Sequence, residues 1–388
     1  MNPVIGREDA ASVSPITGPR SNFQAVSSRL KLNEPTIVPS VVSSAKAGTQ
    51  MEIKFERFHL QSDLRSPLQR FESVSIPTEV RIDPLTKRRS RIITWGLPSK
   101  GKFDFSQMVA ESRECFFCPE NVHSKTPQFP KEIIPEGRIL IGRATGFPNL
   151  NPVGTYGSVV VLCQEHFLQL NQFVPEMYEE GLSASIEIIR RMESFDPDTH
   201  YWQISQNFLL PGGSSILHPH LQVIGDPIPT NEMEWLLDAS SSYFHRNRTL
   251  YWNDLIRIEK GLGKRYITSL GKVHWYVSFA PLGFNEVCGS VEGHNSVATL
   301  GEEEISSLAK GIISTLKYYD DKDLNSFNFS IYSISGEASY QLLIRIISRT
   351  PIQPYYLNDW TSYEVLQSEL TSNIIPEELC REIQPYFP

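Results

Sequence analysis

Long apolar runs are absent from this 388-residue chain, and cysteine is scarce. No run approaches the roughly 20 apolar residues that a membrane-spanning helix needs, so we expect no membrane segment. The N-terminus has no basic segment followed by an apolar stretch, which predicts that there is no secretory signal. The five cysteines comprise one close pair and three scattered residues. Because this pattern is not a disulfide framework, we expect a reducing compartment, the cytoplasm.

A surplus of positive charge is also missing. The formal net charge is −8 and the pI is about 5.7, whereas a protein that binds nucleic-acid backbones needs a basic surface. We therefore expect no nucleic-acid partner, although a few placed Arg or Lys residues would suffice for a small anionic substrate. Hydrophobic residues make up 40% and charged residues 21% of the chain, which is a globular composition able to form a core.

Three segments differ in their sequence pattern. Residues 1–50 are rich in Ser, Pro, Thr and Val without periodicity, which predicts a flexible arm; a transit peptide is the alternative. Residues 51–228 and 229–388 each contain the predicted order strand, helix, strand, turn, strand. The repeated order predicts an α+β protein with an internal duplication.

An alignment of the two halves compares the stretch "HPHLQ" with "QLLIR". It places Gln341, Leu343 and Arg345 where the first half has His218, His220 and Gln222. If the halves are duplicates, only the first has kept the chemistry that these side chains carry.

A cysteine pair, Cys115 and Cys118, lies in "ECFFCPEN". Thiolates at C-x-x-C spacing can bind one tetrahedral Zn²⁺, with histidines as the missing ligands. His166, after the strand-like run "YGSVVVLC", and His218 would complete a closed Cys₂His₂ site of structural type. The alternatives are a redox pair, for which a βαβ context is not evident, or two buried cysteines.

The stretch "ILHPHLQVIGDP", from Ile216 to Pro227, carries the second constellation. Alternate residues of a strand point to one side, so His218, His220 and Gln222 are predicted to share a face. A histidine nitrogen can attack phosphorus and form a covalent intermediate. The preceding turn, "PGGSS", would let backbone N–H groups and hydroxyls approach a phosphate. A structural histidine is the alternative.

Together these motifs resemble the galactose-1-phosphate uridylyltransferase family, the transferase branch of the histidine-triad (HIT) superfamily. "HPHLQ" resembles the family's H-P-H-x-Q active-site motif, and "GSS" resembles its serine-bearing loop. "ECFFCPEN" resembles its zinc segment, "RIDPLT" its N-terminal strand and turn, and "GFPNLNP" its strip near the nucleotide base. The resemblance implies a duplicated HIT-like fold with two mostly antiparallel sheets and packed helices.

The resemblance also implies roles for individual residues. His220 matches the nucleophile that accepts a nucleoside monophosphate, and Gln222 matches the residue that steadies the intermediate. Ser215, with its neighbour Ser214, matches the serine loop at the substrate phosphates, and Asn207 matches an asparagine near them. Further matches are Asn149 near the nucleoside, Asn151 where an aromatic residue is usual, and the zinc ligands Cys115, Cys118, His166 and His218.

Gln222 distinguishes between the branches of the superfamily. Hydrolases of the histidine-triad kind carry a third histidine there, which can protonate a leaving group, whereas a glutamine cannot. We therefore expect a nucleotidyltransferase that moves a nucleoside monophosphate, UMP by the family pattern, between a nucleotide-sugar and a sugar 1-phosphate. A nucleotide-sugar phosphorylase, a nucleotide hydrolase and a non-catalytic nucleotide-binding protein are the alternatives.

Further expectations follow from the family. It implies a homodimer, with part of the sugar site supplied by the partner chain. Gln341 and Leu343 occupy the positions of a metal-binding H-x-H pair in the second repeat, so no second metal site is expected. The cations that meet phosphate are not assigned; the candidates are Arg88, Arg89, Arg91 and Lys100.

Overall fold

Two mostly antiparallel sheets and two long helices are the main elements of the described part of the protein. The structure, a computed structural model, describes residues 36–38, 53–93, 102–352 and 358–388. The strands among these residues are β1 Thr36–Val38, β2 Phe55–Ser66, β3 Glu72–Ile82, β4 Arg89–Ile92, β5 Ile139–Ile141, β6 Ala144–Pro148, β7 Tyr156–Val161, β8 Tyr201–Phe208, β9 His220–Asp226, β10 Tyr266–Leu270, β11 Val273–Val277, β12 Phe284–Val291, β13 Phe327–Ile334, β14 Leu343–Ser348 and β15 Leu370–Ser372. The α-helices are α1 Ser106–Glu111, α2 Pro119–Lys125, α3 Pro175–Phe195, α4 Asn231–Asn247, α5 Tyr251–Leu262, α6 Glu302–Asp321, α7 Ser362–Gln367 and α8 Pro376–Ile383.

Two sheets account for all of these strands, which confirms the predicted α+β class with two mostly antiparallel sheets. The larger sheet has the order β10-β11-β12-β14-β13-β8-β9-β7-β6-β5 and is antiparallel throughout. The smaller sheet has the order β1-β2-β3-β4-β15, with β15 parallel to β4. The predicted turn in "RIDPLT" joins β3 to β4, where the Asp83 carboxylate accepts bonds from the Leu85 and Thr86 N–H groups.

The repeated element order is present in the structure. It occurs as β7-α3-β8-β9 and again as β12-α6-β13-β14. The two repeats do not have separate sheets, because β8 pairs with β13 over eight residue pairs and joins both into one surface. The boundary between residues 228 and 229 stays a prediction. The predicted arm, residues 1–50, lies outside the described residues except for β1.

One face of the large sheet is covered by the two long helices. The helical spacing of Met177, Leu182, Ile186 and Ile189 in the sequence predicts an apolar stripe. These residues lie on α3 and are buried in the main core. The helices approach the sheet through glycines: a Cβ at Gly181 would overlap Leu162, and a Cβ at Gly311 would overlap the Trp275 ring. Because the two helices pack closely on this face, a cavity can form only on the opposite face of the sheet.

That opposite face is only partly covered. Side chains of α4 and α5, including Met233 and Trp252, pack with Tyr276, Cys288 and Leu343 of β11, β12 and β14 in a second core. The sequence patterns did not predict α4 or α5. The polar side chains of β8, β9 and β13 on this face remain open to a cavity. No helix in the described part of the chain is both long and apolar enough to span a membrane.

Buried ion pairs hold the small sheet against the large one. Arg81 and Arg265 are 1% and 3% exposed, and both donate to the Glu377 carboxylate. Arg265 also donates to Glu259, which is 1% exposed. Burial alone would raise the pKa of Glu377, but the hydrogen bonds and charges of Arg81 and Arg265 lower it to about 2.

Arg265→Ala is expected to destabilise the protein by about 3–5 kcal/mol, because it leaves the Glu259 carboxylate buried without its partner. Chemical denaturation monitored by circular dichroism measures the change. Arg191→Ala is the control, since Arg191 pairs with Glu187 on the exposed side of α3, and its loss should cost about 0.5 kcal/mol or less. An equal effect of both substitutions would contradict the assigned role of the buried network.

Candidate active site and metal centre

The four predicted zinc ligands come together in space. The potential ligand atoms of Cys115, Cys118, His166 and His218 all lie within 4.8 Å of one another. Cys118 Sγ lies 3.4 Å from His166 Nδ1 and 3.7 Å from His218 Nδ1. The cysteines precede α2, His166 follows β7 and His218 lies two residues before β9, so the group joins three segments.

Hydrogen bonds to the other ring nitrogens orient both histidines. His218 Nε2 lies 2.8 Å from the Cys163 carbonyl oxygen, which can only accept, so Nε2 carries the proton. His166 Nε2 lies 2.9 Å from Ser112 Oγ, whose own proton is directed to the Met108 carbonyl. In both rings Nδ1 therefore has its lone pair directed to the thiols, as a metal ligand requires.

The protonation chemistry also fits a divalent cation. Burial, together with the neighbouring Cys115 thiol, raises the pKa of Cys118 to about 12, so a thiolate there needs a cation to stabilise it at neutral pH. Burial lowers the pKa of His218 to about 4, which keeps its imidazole neutral. Two thiolates and two neutral imidazoles are the donor set of a closed structural zinc site.

His220 is the first residue of β9 and is 6% exposed. The predicted strand begins two residues later than expected, because Pro219 has no N–H; its carbonyl still accepts from Leu162 N–H. The His220 Nδ1 atom lies 2.8 Å from the His218 carbonyl oxygen, so Nδ1 donates and Nε2 keeps a free lone pair. The ring centroids of His218 and His220 lie 6.4 and 5.2 Å from the ring centroid of Phe117. Burial lowers the pKa of His220, which favours the neutral imidazole.

Gln222 lines a cavity of about 600 Å³ on the open face of the large sheet. Because alternate residues of β9 point to one side, His220 and Gln222 share this side of the strand. Asn207 also lines the cavity, and its Oδ1 accepts a hydrogen bond of 2.6 Å from Asn328. The structure therefore brings Asn207 and Gln222 to one cavity.

The predicted phosphate loop connects β8 to β9. It contains a 3₁₀ turn at Leu210–Gly212 followed by Gly213, whose φ of 84° suits glycine. Ser214 is buried and its hydroxyl donates to the Ile216 carbonyl at 2.7 Å, whereas Ser215 is exposed. A Cβ at Gly212 would lie 2.8 Å from the Phe327 carbonyl oxygen, so this loop packs against the start of β13.

The other candidates lie apart from the cavity or at its edge. Asn149 and Asn151 lie in the loop between β6 and β7, where Asn151 N–H donates to Asn149 Oδ1 at 3.0 Å; neither lines the cavity as the described residues outline it. Of the candidate cations, Arg88 lines the cavity and pairs with Glu232. Arg89 and Arg91 face Glu369 at 3.9 and 3.0 Å, and Lys100 lies outside the described residues.

The second half of the chain supplies cavity residues that the sequence reasoning did not assign. Arg345 donates to the buried Glu286 carboxylate at 3.1 Å, and Arg349 forms two bonds of 2.8 and 2.6 Å to Asp359. Both arginines line the cavity. The signal was present, since the alignment of the halves already placed Arg345 at the position of Gln222.

Comparisons with known proteins relate the chain to an archaeal protein. No family model matches the chain. An uncharacterized protein of Archaeoglobus fulgidus is 32% identical over 309 residues, which is 79% of this chain and 91% of the archaeal protein.

Solved structures show the fold. An ADP-glucose phosphorylase from Arabidopsis thaliana, with ADP-glucose bound, superimposes with a TM-score of 0.62 at 16% identity and covers 79% of this chain and 98% of that one. A uridylyltransferase structure gives a TM-score of 0.58 at 20% identity, with 79% and 97% covered. The chain belongs to one family with the Archaeoglobus protein, and its fold is that of the ADP-glucose phosphorylase and uridylyltransferase structures.

Proposed function

We propose that the protein transfers a nucleoside monophosphate, UMP by the family pattern, from a nucleotide-sugar to a sugar 1-phosphate through a covalent intermediate on His220. The observation that carries the proposal is the hydrogen bond from His220 Nδ1 to the His218 carbonyl. It leaves Nε2 as a neutral nucleophile. His220 does not itself line the cavity as the described residues outline it, but Gln222, two residues further along the same side of β9, does.

In the first step, the Nε2 lone pair attacks the α-phosphorus of the nucleotide-sugar. The N–P bond forms while the bond from the α-phosphorus to the bridging oxygen breaks, and the sugar 1-phosphate leaves with the bonding electrons. The leaving group is already an anion, so no proton has to reach it. Throughout this step the proton stays on Nδ1 and is hydrogen-bonded to the His218 carbonyl oxygen, which stabilises the positive charge that develops on the ring.

In the second step, a phosphate oxygen of the acceptor attacks the same phosphorus and the N–P bond breaks. The electron pair returns to Nε2, which restores the neutral ring. Gln222, two residues from His220 on the same side of the strand, can donate an amide N–H to a phosphoryl oxygen in both steps. The amide is not a proton donor at neutral pH, which favours transfer to an anionic acceptor over hydrolysis.

The metal centre positions the nucleophile in this proposal. Cys115, Cys118, His166 and His218 would hold a zinc ion whose contribution is to cross-link the loop before α2 to the ends of β7 and β9. The carbonyl that orients His220 belongs to His218, one of these ligands. The ring of the nucleophile is therefore fixed by the same residue that binds the metal.

A nucleotide-sugar phosphorylase, with inorganic phosphate as the acceptor, is the second candidate. Asn151, at a position where the family has an aromatic residue near uracil, favours it because an amide does not provide the same stacking surface. One of the solved structures with this fold is an ADP-glucose phosphorylase with bound ADP-glucose. Both candidates use the same His220 intermediate and differ in the base and the acceptor.

The proposal is tested by intact-mass spectrometry after brief incubation with UDP-glucose, UDP-galactose, ADP-glucose and GDP-mannose in separate reactions. A gain of one nucleoside monophosphate with one donor would identify the base. Subsequent addition of hexose 1-phosphate or phosphate would identify the acceptor by the loss of that mass. Sedimentation or light scattering in the same buffer would test the expected homodimer.

Gln222→His is expected to shift the fate of the intermediate from transfer to hydrolysis. An imidazole at this position can act as a general acid or base, which is worth about 10²–10⁴-fold in rate, so free nucleoside monophosphate should increase at the expense of transfer product. Product partition by chromatography measures the change. Gln203→His is the matched control, since Gln203 lines the same cavity from β8; an equal shift in both variants would contradict the role of Gln222.

A further inference from the structure

We propose that the half of the cavity formed by β13 and β14 binds the hexose of the nucleotide-sugar, with Ser330, Arg345 and Glu286 as the residues that determine sugar specificity. This inference rests on the proposed function. In that function His220 accepts the nucleoside monophosphate, and the inference assigns a binding site to the hexose of the sugar 1-phosphate that leaves. It uses residues of the same chain, in addition to any contribution from a partner subunit.

The strand register places these residues in one row with Gln222. Gln222 pairs with Ser205, Ser205 with Ser330, and Ser330 with Arg345. Directly opposed residues of an antiparallel sheet project to the same face, and all four line the cavity. Three strand spacings separate the ends of the row, about 14 Å. A substrate whose α-phosphorus lies at His220 and Gln222 can extend along this row toward β14.

Unpartnered polar atoms mark the β13–β14 end. Ser330 Oγ, Arg345 Nε and Glu232 Oε1 are buried and make no hydrogen bond to the described residues, and all three residues line the cavity. Buried polar atoms are nearly always hydrogen-bonded in folded proteins. Ser330 lies on β13, Arg345 on β14 and Glu232 on α4. Their grouping around this end of the cavity points to a ligand that offers several donors and acceptors.

The charges at this end favour a neutral ligand over an additional phosphate. Arg345 is paired with Glu286, Arg88 with Glu232 and Arg349 with Asp359, so each arginine has a carboxylate partner. A phosphate-binding site would contain arginines without carboxylate partners, so that their positive charge is available to the phosphate. Paired arginines and carboxylates instead present N–H donors and oxygen acceptors side by side, which suits the hydroxyl groups of a sugar.

An aromatic wall completes the surface. Trp360 lines the cavity and is 43% exposed, with the Arg349 guanidinium 5.8 Å from its ring centroid. Tyr332 lines the same end from β13. The apolar face of a hexose packs against such rings, whereas an inorganic phosphate gains nothing from them.

The test compares donors with and without the sugar. Covalent labelling of His220 is timed by intact-mass spectrometry with a nucleotide-sugar and with the matching nucleoside diphosphate, in the wild-type protein, Ser330→Ala and Arg345→Lys. With the nucleotide-sugar we expect the labelling rate to fall about 3–10-fold in Ser330→Ala and about 10–100-fold in Arg345→Lys. The rate with the nucleoside diphosphate should not change in either variant.

Two controls keep the result interpretable. Ser269→Ala removes an exposed hydroxyl from β10 of the same sheet, away from the cavity, and should change neither rate. The melting temperature of each variant reports folding, and Ser330→Ala, which removes one oxygen, remains informative if Arg345→Lys does not fold. Equal loss of rate with both donors, or no loss in Ser330→Ala, would overturn the hexose assignment.

The failure of the proposed function can be distinguished from that of the hexose site. If no donor labels the wild-type protein, calorimetric titration with glucose 1-phosphate and with inorganic phosphate tests the site alone. Weaker binding of glucose 1-phosphate in Ser330→Ala, with phosphate binding unchanged, would support the hexose site. Weaker binding of both ligands would identify the wall as an anion site and overturn the inference.

Discussion

His220→Ala is expected to abolish covalent labelling by every nucleotide-sugar and to lower the transfer rate by at least about 10⁴-fold. The intermediate requires a nitrogen lone pair at this position, and among the described residues His220 is the histidine that combines an Nδ1 bond to a carbonyl with a place beside Gln222 on β9. Intact-mass spectrometry and a coupled transfer assay provide the two measurements. The melting temperature reports folding, since removal of this buried ring also takes a donor from the His218 carbonyl.

His200→Ala is the matched control, since His200 is exposed just before β8, and it should label like the wild type. Covalent labelling that persists in His220→Ala would contradict the assignment of His220 as the nucleophile. A wild-type protein that releases free nucleoside monophosphate in plain buffer as fast as it transfers would be a hydrolase. A protein that binds nucleotide but never forms an adduct would be the non-catalytic alternative.

Cys118→Ser is expected to reduce bound zinc from one equivalent to less than half and to destabilise the protein by several kcal/mol, because metal-binding free energy contributes directly to folding. Elemental analysis and thermal unfolding measure these two effects. The rate of His220 labelling should also fall about 10–100-fold, as it does when residues that orient a functional group are lost. We expect this because His218 would be a ligand of the metal, and its carbonyl accepts the bond from His220.

Cys380→Ser is the matched control for the metal prediction. Cys380 is buried, lies outside the metal group and has its thiol 3.5 Å from the Tyr266 carbonyl, a bond that a hydroxyl can also make. This variant should keep its zinc. A wild-type protein with less than half an equivalent of zinc and normal stability would count against the Cys₂His₂ site. A chelator that removes zinc from the wild type should reproduce the effects of Cys118→Ser.

Local patterning was sufficient for most of the elements that carry the site. The helical stripe from Met177 to Ile189 lies on α3, and the stretch "YWQISQNF" is β8 itself. These predictions succeed because burial of one face imposes a period of two or 3.6 residues on the sequence. The helices α4 and α5, whose apolar faces form a second core on the other side of the sheet, were not predicted. Their packing against β11, β12 and β14 is a property of the tertiary structure.

The residue types at the site were also readable from the chain. His220 and Gln222 are two positions apart on β9, so a strand alone suffices to relate them, whereas His218 precedes the strand. The C-x-x-C spacing alone suggests a metal. The expectation that Cys115, Cys118, His166 and His218 form one group is met in space. The roles of these residues remain proposals.

By itself, the sequence determined the chemistry that is available: two thiols, the imidazoles and the carboxamide that follows them. Only the tertiary structure decided which ring nitrogen of His220 is free, because the His218 carbonyl has to be placed against Nδ1. It also decided that the two repeats share one sheet, with Ser205 opposite Ser330 and Gln222 in line with Arg345. That pairing joins residues about 120 positions apart in the chain, and no local period records it, because strand register is set by which faces can be buried together.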